Sequence, residues 1–284
     1  MRRAYWTRAA ERAVHERYRR LLDTWNTEHR EHRIPTSLGE TFVISAGNPG
    51  LPTVVLLPGS MATSAMWMRT LPALADRFHV LAVDIVGDAG FSAPSRPSMR
   101  SDAHARWLDD ILEALVKGTT NLVGASFGGW LALDYAIRRP ARVHRLVLLS
   151  PAGVGRLRPR FVLKTAPYLF LGPWGHRKAL AFDMGFGHRE RSADESSFVD
   201  LFDAVRSGFI ARLQPIPTFP NRALAGLHMP VLAVVGSDDK VFDSAETQAR
   251  IEANIRRSKV LMLHGVGHAL PDSTLEIREF LIRA

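Results

Sequence analysis

Ser126 stands in the pentapeptide Gly124-Ala125-Ser126-Phe127-Gly128, directly after the apolar run Asn121-Leu122-Val123. A helix-patterned stretch, Gly129 to Arg139, follows it. A serine held in a sharp strand-to-helix turn has a strained backbone and an outward-facing hydroxyl. The positions two before and two after it must be small, because the chain doubles back and a Cβ there would clash. The helix that starts beside the serine aims N–H groups at any anion formed nearby. That arrangement suits attack on an acyl carbon, yet a serine hydroxyl is a weak nucleophile at neutral pH. It needs a base to take its proton and a third group to orient the base. The pentapeptide alone also fits an ordinary Gly-Ser loop, so the partners decide.

Two later segments supply partners. Val231 to Val235 leads into Gly236-Ser237-Asp238-Asp239-Lys240, and Lys259 to Leu263 leads into His264-Gly265-Val266-Gly267-His268. Serine, carboxylate and imidazole thus each follow a strand-like run. In a parallel sheet the C-terminal strand ends share one edge, where ligands bind in open α/β folds. The residues themselves leave both Asp238 and Asp239 as the acid, and both His264 and His268 as the base.

The elements that must position these groups are legible as an alternation. Strand-like runs occur at Thr41 to Ser45, Thr53 to Leu57, His79 to Asp84, Asn121 to Val123, Arg145 to Leu149, Pro230 to Val235 and Lys259 to Leu263. Most are rich in Val and Leu with little alternation, as strands buried on both faces are. Helix-patterned stretches at Ser64 to Arg77, Asp102 to Lys117, Phe127 to Arg139, Ser244 to Arg257 and Thr274 to Ile282 lie between them. The alternation predicts an α/β fold with a mostly parallel, doubly wound sheet. The first two runs, joined through Gly47-Asn48-Pro49-Gly50, are expected to pair as an antiparallel hairpin.

Two stretches stand outside the alternation. Residues 4 to 30 carry Trp6, Ala10, Ala13, Val14, Tyr18, Leu21, Leu22 and Trp25 at helical spacing, with Arg8, Arg12, Arg17, Arg19 and Arg20 mostly on the other side. This predicts a basic amphipathic N-terminal helix over residues 1–33, ended by Ile34-Pro35. It either packs on the domain or makes weak contact with an acidic membrane surface or a partner. Residues 151–225 include Pro159, Pro167, Pro173, Pro215, Pro217 and Pro220, and helix-like pieces such as Glu195 to Leu213. They read as a helical cap inserted into a core of residues 34–150 and 226–284. Within the cap, Phe161-Val162-Leu163 and Tyr168-Leu169-Phe170-Leu171 serve either as core or as lining of an apolar pocket. Arg156, Arg158 and Arg160 are expected to be solvated, with binding of an acidic substrate as the competing role.

Composition narrows the function classes. The chain has 284 residues, 46% of them hydrophobic, enough for one α/β domain carrying an insertion. No run reaches the roughly 18 apolar residues of a membrane span. The basic N-terminus lacks a following apolar segment of the kind a secretory signal carries. Cysteine is absent, which excludes disulfides, thiolate metal sites and a cysteine nucleophile, and fits a reducing, cytoplasmic setting. The net charge of +9 raises nucleic acid as a partner. No zinc spacing, aromatic RNA-binding motif or basic block supports it, so no nucleic-acid partner is expected.

The chain resembles the α/β-hydrolase superfamily, and within it capped bacterial carboxylesterase-type serine hydrolases. The resemblance runs from about Thr36 to Phe280. It rests on Leu56-Leu57-Pro58-Gly59-Ser60, Asp84-Ile85-Val86-Gly87-Asp88, Gly124-Ala125-Ser126-Phe127-Gly128-Gly129, Gly236-Ser237-Asp238-Asp239 and Gly265-Val266-Gly267-His268. It implies the catalytic set Ser126, Asp239 and His268, since the family's acid stands three residues after the glycine ending its strand and its base in a G-x-G-H pattern. It also implies an oxyanion hole from the N–H of Phe127 and of Ser60, with Met61 as the alternative to Ser60. Relatives carry His-Gly-x where this chain has Pro58-Gly59-Ser60. The implied activity is hydrolysis of a carboxylic ester of an apolar small molecule through an acyl-enzyme, with no metal or organic cofactor. Thioester or C–C bond hydrolysis on the same fold, and a non-catalytic ligand-binding role, are the alternatives.

Overall fold

The computed structural model describes residues 4–169, 175, 193–212 and 214–283. Eight strands form one sheet: β1 (Arg30–Ile34), β2 (Thr41–Ala46), β3 (Thr53–Leu57), β4 (His79–Val83), β5 (Thr120–Ala125), β6 (Val143–Leu149), β7 (Val231–Gly236) and β8 (Ser258–Leu263). Their order is β1-β2-β4-β3-β5-β6-β7-β8. β1 and β2 pair antiparallel, as do β2 and β4; every other pairing is parallel. The helices among the described residues include α1 (Arg8–Asp23), α2 (Thr70–Leu74), α3 (Ala103–Leu115), α4 (Phe127–Arg138), α5 (Pro159–Leu169), α6 (Ala193–Gly208), α7 (Asn221–Ala225), α8 (Ser244–Asn254) and α9 (Thr274–Ile282). No helix among the described residues is long and apolar enough to cross a membrane.

The two faces of the sheet divide the core. Successive side chains on a strand point to opposite faces. In β3, Val55 and Leu57 accordingly join Trp107, Ile111 and Leu131 of α3 and α4, whereas Val54 and Leu56 join Tyr18, Leu22 and Leu281 of α1 and α9. All residues of β2, β3, β4, β5 and β7 are buried, which explains their continuous apolar character.

Three expectations are corrected. β2 and β3 do not form a hairpin: β4 lies between them, antiparallel to β2 and parallel to β3. The turn instead folds tightly onto the end of the helical segment before β4, where Gly47, at φ +81, sits so close to the Phe78 carbonyl that a Cβ would collide with it. The N-terminal helix spans Arg8–Asp23 rather than residues 1–33, and Arg30–Ile34 is an edge strand. Thr7 caps the helix, its hydroxyl accepting from Ala10 N–H at 3.0 Å. Finally, Ser64 to Arg77 is not one helix but a 3₁₀ turn, Ser64–Trp67, followed by the single turn of α2.

The apolar side of α1 packs into the core: Val14, Tyr18, Leu21 and Leu22 are buried, while Arg8, Arg12 and Arg20 are exposed. Arg17 pairs with Asp200 of α6, and Arg19 with Glu31 of β1. In the stretch expected to form the cap, Phe161 is half-buried against the core, whereas Val162 and Leu163 are exposed. Phe170 and Leu171, and the side chain of Leu169, lie outside the described residues.

Candidate active site

β5 ends at Ala125 and α4 begins at Phe127, so the whole reversal falls on Ser126. Its backbone adopts φ 48 and ψ −110, a conformation that non-glycine residues rarely take. Backbone hydrogen bonds enforce it. Ser126 N–H donates to Leu149 O at 2.8 Å, and its carbonyl accepts from Trp130 N at 3.1 Å and Ala152 N at 3.0 Å. The small-residue requirement is met where it matters. A Cβ on Gly124 would collide with the Gly128 carbonyl, and one on Gly128 with the carbonyls of Leu57 and Pro58.

Three parallel strand ends bring Ser126, Asp239 and His268 together. Ser126 Oγ lies 3.0 Å from His268 Nε2, and His268 Nδ1 lies 2.8 Å from Asp239 Oδ2. A carboxylate can only accept, so Nδ1 carries the proton and Nε2 is left to accept from the serine hydroxyl. Asp239 is fixed in turn: its Oδ1 accepts from Val241 N–H at 2.7 Å and Phe242 N–H at 3.0 Å. Its side chain is 1% exposed and that of His268 is 12% exposed, so the pair is shielded while the imidazole keeps an open side. The Phe242 ring packs against His268 with centroids 5.4 Å apart.

The residue pairs left open by spacing are separated by geometry. Asp238 is exposed and accepts from Ser237 Oγ, while its N–H donates to Val266 O at 2.8 Å. It braces the histidine loop but does not face the imidazole. His264 is exposed.

Two backbone N–H groups belong to residues adjoining the Ser126 turn. One belongs to Phe127, the first residue of α4. The other belongs to Ser60, next to Gly59, whose added Cβ would stand 3.6 Å from Ser126 Cβ. Neither N–H has a hydrogen-bond acceptor among the described residues. Met61 N–H, the alternative donor, is occupied: it donates to Asp88 Oδ1 at 2.6 Å.

Spacing did not single out the polar groups behind this edge. Asp84 is fully buried, its Oδ1 accepting from Ser64 N–H, Ser64 Oγ and the Tyr18 hydroxyl, and its Oδ2 from Phe91 N–H. Burial pushes its carboxyl above the ordinary range, and these donors oppose the rise. Arg212 lies with its guanidinium 5.1 Å from the Phe127 ring centroid. Burial lowers its pKa, partly offset by the charge of Asp88. The sequence signal for this group is the pair of aspartates in Asp84-Ile85-Val86-Gly87-Asp88, whose partners only the fold reveals.

The model of the alpha/beta hydrolase fold family matches residues 52–176. A carboxylesterase, YbfK of Bacillus subtilis, is 34% identical over 138 residues, 49% of this chain; the match spans about half of that protein, 47% of its length. A 2-hydroxymuconate semialdehyde hydrolase of Pseudomonas sp. strain CF600 is 42% identical over 223 residues, covering 72% of this chain and 75% of that one. The crystal structure of naproxen esterase (carboxylesterase NP) from Bacillus subtilis superposes with a TM-score of 0.81 at 25% identity, covering 95% of this chain and 96% of that one.

Proposed function

We infer, because the chain belongs to the α/β-hydrolase family, that it is a serine esterase acting on carboxylic esters through an acyl-enzyme. The observation that carries this reading is the single imidazole of His268 in contact with Ser126 on one side and Asp239 on the other. His268 Nε2 takes the proton of Ser126 as the serine oxygen attacks the ester carbonyl carbon. The oxyanion that forms is held by the N–H groups of Phe127 and Ser60, and a donor of this kind is worth roughly 3–4 kcal/mol of barrier. The imidazolium then gives its proton to the departing alkoxide. Water, deprotonated by the same nitrogen, attacks the acyl-enzyme, and His268 returns the proton to Ser126. Asp239 holds the imidazole in the required tautomer and stabilises its cation throughout.

A second reading rests on the 42% identity to the 2-hydroxymuconate semialdehyde hydrolase. It assigns the same three residues to cleavage of a carbon–carbon bond next to a carbonyl. Labelling with a fluorophosphonate, followed by mapping of the modified peptide, tests the mechanism common to both: modification at Ser126 is expected, and no labelling would discard it. Comparing a chain-length series of p-nitrophenyl esters with a 2-hydroxy-6-oxo-dienoate separates them. The ester reading expects higher kcat/KM on esters, and the reverse order would overturn it.

A further inference from the structure

We propose that Asp88 is a positioning residue of this esterase reaction, its buried carboxylate selecting which N–H of the loop after β3 is left to face the oxyanion. The proposal rests on the esterase reading. Asp88 Oδ1 accepts from Met61 N–H at 2.6 Å and from Ala89 N–H at 2.9 Å. Its Oδ2 lies 3.4 Å from the Ser60 hydroxyl, which donates to it. Two consecutive residues of the loop are therefore gripped by one carboxylate. Met61 is held at φ 61, outside the region non-glycine residues prefer, and such a bend persists only where its surroundings enforce it. With Met61 N–H withdrawn, Ser60 N–H is the loop donor left without an acceptor among the described residues, on the residue after Gly59, which approaches Ser126.

The same carboxylate is tied to the other donor through charge. Asp88 is 3% exposed, and burial raises its pKa against the pull of Ala89 N–H, Arg212, Met61 N–H and Arg96. Arg96 donates from Nε to Gly87 O at 2.8 Å and from Nη2 to Ile210 O, gripping the turn that carries Asp88. Arg212 reaches Val86 O from Nη2 at 3.5 Å and lies over the ring of Phe127, the residue supplying the first N–H. Neutralising Asp88 leaves two half-buried guanidiniums without their counter-charge and frees Met61 N–H at once. A misplacement of the loop by about 1 Å is enough to lose about 10²-fold in rate.

The test compares Asp88→Ala and Asp88→Asn with the parent, as full chains, on p-nitrophenyl butyrate. Inhibition by an alkyl trifluoromethyl ketone, which adds the serine and carries an oxyanion, is measured beside the matching methyl ketone. Asp88→Ala is expected to lose about 10²-fold in kcat with KM within about threefold. Its affinity for the trifluoromethyl ketone falls by the same factor while that for the methyl ketone holds. Amide hydrogen exchange at Met61, slow in the parent, becomes fast. Asp88→Asn keeps the shape and one acceptor oxygen, is expected to lose about tenfold, and carries the test if the alanine variant does not fold. Parent-like kcat in a folded variant, or equal loss of both ketones, overturns the positioning role while the esterase reading stands. A parent that neither cleaves the ester nor takes a fluorophosphonate at Ser126 overturns both.

Discussion

Ser126 Oγ and His268 Nε2 lie 3.0 Å apart although 142 positions separate them in the chain. The pair does not hold itself together. β5 and β8 are fixed by their own ladders in one sheet, and Ser126 is pinned by backbone bonds to Leu149, Trp130 and Ala152. One hydrogen bond contributes about 1 kcal/mol net, little beside the burial of both sheet faces. The contact is therefore a consequence of the fold, and its loss is expected to spare the fold.

Ser126→Ala should lower ester turnover by at least about 10⁴-fold with little change in urea midpoint. Ser126→Gly should be as inactive yet more stable, by about 1 kcal/mol, because glycine accepts φ 48 without strain. Turnover and equilibrium unfolding of the two variants check this. A glycine variant less stable than the alanine one would show that the turn is unstrained.

Asp239→Asn should cost about 10⁴-fold in kcat, because an amide can present its NH₂ to Nδ1 and stabilise the wrong tautomer. Asp238→Asn should stay within about twofold, since that side chain is exposed and bonded to Ser237. Steady-state kinetics on one ester decide; equal losses would return the acid to the doublet as a whole.

Ser126, Asp239 and His268 reach one edge because each lies in the loop or turn that follows an apolar run forming a parallel strand, so their order along the chain already places them there. Which member of each doublet faces the site was not a matter of spacing and came from the family pattern. β1 was illegible for a physical reason. Arg-Glu-His-Arg-Ile is an edge strand with one covered side, and its charges carry no apolar alternation. It was therefore absorbed into the helix before it. The β2–β3 pairing failed because a short turn between two strand-like runs says nothing about a third strand, β4, that inserts between them. The contacts of Asp88 are not legible in the sequence because its partners, Ser60, Met61, Arg96 and Arg212, come from three separate loops.

Tyr18 ties the first helix to the sheet. Its hydroxyl donates to Asp84 Oδ1 at 3.1 Å and lies 2.7 Å from Ser64 Oγ, while its ring stacks on Phe91 with centroids 4.6 Å apart. Tyr18→Phe keeps the ring and leaves the buried carboxylate short of a donor. It should destabilise the protein by about 1–2 kcal/mol, read from urea unfolding. No change would mean that the Tyr18 hydroxyl adds nothing to the stability of the buried Asp84 cluster.

His104 makes stability depend on pH. It is 2% exposed, set edge-on to Phe127 and Trp130, and neither ring nitrogen has a hydrogen-bond partner among the described residues. Burial, reinforced by the positive charge of Arg212, lowers its pKa from 6.5 to about 4. Between those values the unfolded chain binds more protons than the folded one. The contribution of His104 is thus fully present above about pH 6.5 and is lost as pH falls towards about 4, on the order of 3 kcal/mol in all. Asp84 and Asp88, whose pKa values are raised by burial, act in the opposite sense, so the overall profile does not isolate the histidine. A comparison with His104→Phe does, since the variant keeps an aromatic ring against Phe127 and Trp130 but cannot titrate. Its stability relative to the parent should improve by about 2–3 kcal/mol between pH 7.5 and pH 4.5, measured by urea unfolding at both. A constant difference at the two pH values would mean that His104 is protonated as readily in the folded protein as in the unfolded chain.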